Sequence, residues 1–189
     1  PKTPVPVAVD EWGYSTNKNT WDIPTQRWRD RTDEEQAALT LRVYLTNLQA
    51  NAPLTVSYEW RDSGTEPTDW EHHFGATSYT GQDKATARMY SFTWRALLDR
   101  PLVWAQTVPG CSAKERLQRY GARVQGGDGT SWTVLWSWGE KPVPVTLDGR
   151  VLAVKSIFGD DLPTLTQLTG RPVLVQHVTG QLPVIKCGR

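Results

Sequence analysis

Leu39-Thr40-Leu41-Arg42-Val43-Tyr44-Leu45-Thr46 places an apolar or aromatic side chain at every second position. Side chains alternate across a β-strand with that period, so the stretch predicts a strand over 39–46. Asn51-Ala52-Pro53 breaks the pattern, and Leu54, Val56, Tyr58 and Trp60 then alternate again. Two strands around a short proline-containing break have the rhythm of neighbouring strands in an immunoglobulin-like sandwich. Just upstream, Thr32-Asp33-Glu34-Glu35 has the hydroxyl and carboxylate spacing of a capping box and predicts a helical turn over 33–38. Downstream, Arg88, Tyr90, Phe92 and Trp94 alternate with Met89, Ser91 and Thr93 as a third strand. Leu102–Gln106, after Pro101, is a candidate fourth. Trp132, Val134, Trp136 and Trp138 form the most strongly alternating stretch and predict one face of a strand.

The C-terminal part has turn chemistry between apolar runs. Ser112–Glu115 is a second capping box, and with Gly121 as a C-terminal cap it predicts a helix over 113–120. Leu147-Asp148-Gly149-Arg150, Leu168-Thr169-Gly170-Arg171 and Val178-Thr179-Gly180-Gln181 each precede an apolar run, and Asp148-Gly149 is a hairpin signal. Asp161 could cap a short helix carrying Leu162, Leu165 and Leu168, closed by Gly170. No strand–helix–strand series of the doubly wound type is read. The fold expected is mostly β: an antiparallel β-sandwich with two or three short helices. A division is expected near Pro109-Gly110. It would give an N-terminal sandwich over 1–108, with a Trp/Pro-rich leading segment, and a smaller β-rich subdomain over 109–189. A single domain is the alternative.

Composition narrows the function classes. Of 189 residues, 21 are basic and 20 acidic, for a formal net charge of +1. Dedicated nucleic-acid binders carry a basic stripe, so that class is set aside. No apolar run approaches the roughly 20 residues of a spanning helix. The chain has 10 Trp, 6 Tyr and 3 Phe but a single Met, Met89. The Pro/Val-rich start, Pro1-Lys2-Thr3-Pro4-Val5-Pro6-Val7, reads as the mature end left by a removed leader, so export to periplasm, cell surface or medium is expected. In that setting Cys111 and Cys187 are expected to form one disulfide, closing a loop of 77 residues. Chain entropy gives such a link roughly 4 kcal/mol.

Three candidate sites follow. The acidic stretch Asp62, Glu66, Asp69 and Glu71, followed by His72 and His73, offers oxygen ligands for Ca²⁺ or mixed ligands for Zn²⁺ or Cu²⁺. It lacks EF-hand and H-E-x-x-H spacing, and a solvated polar loop is the simpler reading. No other cofactor is expected. A glycosidase needs two carboxyl groups with separated roles. Glu59, between Tyr58 and Trp60, is the sharpest candidate, although strand periodicity turns it away from those rings. No nucleophile-elbow, P-loop or dinucleotide motif occurs. Finally, the tryptophans divide. Trp60, Trp94, Trp132, Trp136 and Trp138 sit at strand spacing and are expected in the core. Trp12, Trp21, Trp28 and Trp70 lie among polar residues and are the candidate binding surface.

The functional expectation is a non-enzymatic structural or interaction component of a cell envelope, surface layer or extracellular assembly, or of a virion, with other proteins as partners. A carbohydrate-binding β-sandwich using exposed tryptophan is the first alternative. A glycosidase-like or metal-dependent exported enzyme is the second.

Overall fold

The computed structural model describes residues 6–22, 27–97, 117–120, 129–137, 141–181 and 183–187. The chain divides into two compact units, residues 1–88 and 89–189. The expected division near Pro109-Gly110 falls outside the described residues. The molecule is mostly strand with few helices and has several small sheets, and among the described residues these are antiparallel except for the β-strand pair 9–12 and 55–57.

In the first unit, strands β1 (Val9–Trp12) and β4 (Thr55–Ser57) pair in parallel, with Val9 opposite Thr55 and Trp12 opposite Ser57. Helix α1 (Asp33–Gln49) runs between them in sequence. Parallel neighbours need a crossover connection, usually a helix, so these elements make a β–α–β unit. β2 (Thr20–Asp22) and β3 (Arg27–Arg29) form a separate antiparallel ribbon.

Helix α1 corrects the strand expected over 39–46. The capping box at Thr32 forms as predicted: Glu35 N–H donates to Thr32 Oγ1, and Thr32 N–H donates to Glu35 Oε2. The helix then runs on to Gln49, because no Gly or Pro interrupts 33–50. Ala37, Leu41 and Leu45, four residues apart, are buried together with Ala38. Leu41 and Leu45 belong equally to the period-two pattern, which is why the stretch mimics a strand. Asn47 Nδ2 donates to Thr55 Oγ1 (2.8 Å) and Trp12 Nε1 donates to the same oxygen (2.6 Å), fastening helix and both strands. The strand expected over 54–60 shrinks to the three residues of β4.

The strand expected over 88–94 is also helical: α2 (Ala85–Met89), a π-helical turn (Tyr90–Trp94) and α3 (Arg95–Leu97). Ala85, Met89, Thr93 and Leu97 are buried at four-residue spacing. One member of that stripe is a threonine, so the aromatic alternation beside it looks stronger in the sequence.

The described residues of the second unit form two sheets. One orders β5 (Leu117–Tyr120), β6 (Thr130–Ser137), β10 (Val173–Val178) and β8 (Val151–Ser156) as β5-β6-β10-β8. The other orders β11 (Val184–Cys187), β7 (Val143–Asp148) and β9 (Gln167–Leu168) as β11-β7-β9. One apolar cluster draws on both: Leu135, Val154 and Val175 from the first, and Val143, Val145, Leu168 and Ile185 from the second. β6 is buried on both faces. Leu135 faces that cluster. Trp132, Val134 and Trp136 occupy the opposite face, where Trp132 meets Phe92 edge-on at 6.4 Å.

Two expected helices give way here. Leu117–Tyr120 pairs with β6 as a strand, where an open edge of the sheet offers hydrogen bonds, and 113–116 lie outside the described residues. Residues 161–166 are irregular. Pro163 disfavours the helical backbone at Leu162, whose N–H bonds Val154 O instead (2.8 Å). Leu162 and Leu165 still pack on the core cluster. The Asp148-Gly149 turn forms, with Gly149 at φ +103°. It carries the chain from β7 in one sheet to β8 in the other, so it is a corner and not a paired hairpin.

Candidate carboxylate site

Parallel β–α–β units present their ligand-binding groups beyond the carboxyl ends of the strands. In the first unit that end carries carboxylates. Glu11 lies in β1, and Tyr58-Glu59 follows β4 directly, joined by a cis peptide. Tyr58 N–H donates to Trp12 O (2.7 Å), which extends the parallel register into this segment. Gly13 permits the close approach: a Cβ there would stand 2.2 Å from Tyr58 O.

Glu59 is half-buried, and its Oε1 has no exposed surface and no hydrogen-bond partner among the described residues. Burial pushes its carboxyl above the ordinary range. The Asp62 charge adds to the rise, hydrogen bonds with Tyr58 and Ser63 oppose it, and Glu71 adds a little more. The Tyr58 phenol is itself raised, first by Glu59, then by burial, Glu71 and Glu11. Three carboxylates therefore act on one phenol. An aromatic row leads outward from it: Tyr58 meets Phe74 edge-on at 5.5 Å, and Phe74 meets Trp70 edge-on at 5.5 Å.

Two segments hold the Glu59 loop in place. Ala76 N–H donates to Glu59 O, Thr77 N–H to Trp60 O and Asp62 N–H to Thr77 O. Gly75 N–H donates to Asp62 Oδ1 (2.7 Å), and a Cβ on Gly75 would collide with Asp62 N at 2.1 Å.

The expected metal candidates gather as a self-bonded loop. His72 and His73 lie in a 3₁₀ turn (Trp70–His73), not a strand. Glu66 N–H donates to His72 Nδ1 (3.1 Å), and His73 Nε2 bonds Glu66 O (2.7 Å). Asp69 caps the turn by accepting from Glu71 N–H. Asp62 is buried, whereas Asp69 is half-buried and Glu71 is exposed. Among the described residues no group of three or more His, Cys, Asp or Glu is placed to hold a metal ion.

The tryptophans are placed differently from part of the expectation. Trp21, Trp28 and Trp70 are exposed, and Trp21 and Trp28 form a cross-strand edge-on pair at 5.4 Å on the β2–β3 ribbon. Trp12 is half-buried. Trp132 and Trp136 are core. Trp60 and Trp94, expected in the core, are 66% and 44% exposed. The strand that would have buried Trp60 ends at Ser57, and Trp94 lies off the buried stripe of its helix. Trp138 and Cys111 lie outside the described residues. Cys187 closes β11 and packs at the margin of the core cluster. Sequence reasoning missed Glu11, because a four-residue strand carries too little pattern to be seen, and it missed Gly13.

No protein-family model matches the chain, and no curated protein does. A solved structure, described as a family 39 glycoside hydrolase from the gut symbiont Bacteroides cellulosilyticus WH2, is similar in fold. The TM-score is 0.68 at 16% identity, over 92% of this chain and 34% of that one. The chain spans about a third of that protein's length. At this identity the likeness is one of fold.

Proposed function

We propose that this chain contributes a carbohydrate-facing site to a glycoside-hydrolase-like protein, and that the carboxyl end of the β1–β4 pair is that site. The observation that carries the reading is half-buried Glu59, its Oε1 buried without a hydrogen-bond partner among the described residues, directly after β4 at the carboxyl end of a parallel β–α–β unit whose other strand carries Glu11. Glycoside hydrolysis divides its work between a carboxyl that holds a proton and one that does not. Glu59, raised by burial and by Asp62, suits the first role. Glu11, exposed on the strand, is the partner offered to the sugar. Trp60 and Trp70, 66% and 58% exposed, are suited to stacking on sugar rings. The two sheets of the second unit, sharing one core, are read as a small β-sandwich in an accessory role.

The fold likeness to a glycoside hydrolase supports this reading over the envelope-component expectation, and one experiment decides between them. Tryptophan fluorescence of the chain is titrated with a panel of neutral, amino and uronic oligosaccharides. A saturable change, abolished by Trp60→Ala with Trp70→Ala, is the expected result. No response to any glycan, with a protein partner co-purifying, would return the chain to the assembly-component class.

A further inference from the structure

Lys84 is a buried cation, 8% exposed, in contact with four separate segments of the first unit. Its Nζ donates to Thr16 Oγ1 (3.1 Å) in the loop after β1, and to Asp62 Oδ1 and Oδ2 (3.1 and 3.3 Å) in the loop after β4. It also donates to His73 O (3.3 Å) and stands 3.9 Å from Asp33 Oδ1 at the start of α1. Asp62 is buried as well, 6% exposed, and the other basic side chain that reaches it among the described residues is the His73 ring, with Nδ1 at 4.0 Å. An ammonium on a long flexible stem loses side-chain entropy and hydration when buried. Helix or strand formation does not require one at this position. What it does is fasten the loop that follows the Glu11 strand to the loop that carries Glu59.

The geometry points to Lys84 as the positioning residue of the carboxylate site, its ammonium clamping the loop after β1 to the loop after β4 through Thr16 and Asp62. Lys84 does not touch Glu11 or Glu59. It acts through the Asp62 side chain, whose loop holds Glu59, and it balances the Asp62 charge that Glu59 feels. This rests on the carbohydrate reading for its purpose, but its geometry is testable without any glycan.

The test is a ¹³C side-chain carboxyl titration of the whole chain, with Glu59 assigned by its loss in Glu59→Gln, read together with the Trp12 and Trp60 indole N–H shifts. Lys84→Met removes the cation and keeps the stem, so the Glu59 midpoint moves up and both indole signals move. Asp62→Asn removes the neighbouring anion, so the midpoint moves down. Lys84→Arg keeps the charge and holds the midpoint near wild type. Should Lys84→Met fail to fold, Lys84→Met/Asp62→Asn, which leaves no buried charge unpaired, takes its place. Its midpoint is expected below wild type, with the Trp12 and Trp60 indoles still displaced. A folded Lys84→Met, or the folded double variant, with wild-type indole shifts and an unmoved Glu59 would overturn the proposal. If these signals move as described while no glycan binds, the positioning role stands and the carbohydrate reading falls.

Discussion

Two stretches of the chain, the loops after β4 and the long strand β6, treat the same residue type in opposite ways. In the first, Trp60 and Trp70, each next to a glutamate in sequence, stand 66% and 58% exposed. In the second, Trp132 and Trp136 are 8% and 0% exposed on a strand covered on both faces. The difference lies in the length of regular structure available to cover a large ring. β6 has eight residues and neighbours on both sides, so each ring lands on a packed face. β4 has three residues, and the chain beyond it is organised by loop-to-loop hydrogen bonds that leave the aromatic faces open. Short strands that hand over to clamped loops suit a ligand site, and long strands suit a core.

Substitutions can break or sharpen that contrast. The largest effect is expected for Trp136→Ala, which empties a fully buried site and should cost about 3–5 kcal/mol in urea unfolding. Trp70→Ala should cost only about 1 kcal/mol, the scale of its edge contact with Phe74. Equal losses for the two would erase the distinction. Asp62→Ala should cost on the order of 3 kcal/mol or more, because it leaves Lys84 buried without its anion. Lys84→Met/Asp62→Asn should recover much of that loss in the same unfolding assay. Thr32→Ala removes the capping box and should cost about 1 kcal/mol, checked by far-ultraviolet dichroism through thermal unfolding.

The smallest effect is a pH dependence. Glu59 holds its proton more tightly folded than unfolded, so between about pH 4.5, the ordinary glutamate value, and the raised folded value the folded state keeps more protons bound than the unfolded state. Wild type should therefore lose stability relative to Glu59→Gln across that window, with the difference complete above it. Thermal melts of both proteins at pH 4 and pH 7 read this directly. A difference that runs the other way would contradict the burial assigned to Glu59.

Much of the second unit was legible in the sequence. The alternation at Trp132–Trp136 is a strand, and the apolar runs after Gly149 and Gly170 become β8 and β10. The first unit was less so. Leu41 and Leu45 fit both a strand and a helix, and the deciding residues were Ala37 and Ala38 with the box at Thr32, not the leucines themselves. The Ala85–Leu97 helical run hid because its buried stripe includes Thr93, while its aromatic residues happen to alternate. Glu59 was identified from its aromatic neighbours, but its setting was not. The parallel pairing that sets Glu59 and Glu11 at one end joins positions about 46 residues apart through strands of three and four residues, and so short a pattern leaves no periodic trace.

The proposed role of the carboxyl end of the β1–β4 pair is to face a carbohydrate. Glycan titration of the chain monitored at Trp60 and Trp70, with Glu11→Gln and Glu59→Gln alongside wild type, tests it most directly. Saturable binding is expected, falling at least about tenfold in each carboxyl variant, the scale of a lost hydrogen bond to a charged group, while Trp21→Ala with Trp28→Ala leaves affinity unchanged. Binding that survives both carboxyl substitutions, or that depends on Trp21 and Trp28 instead, would contradict it.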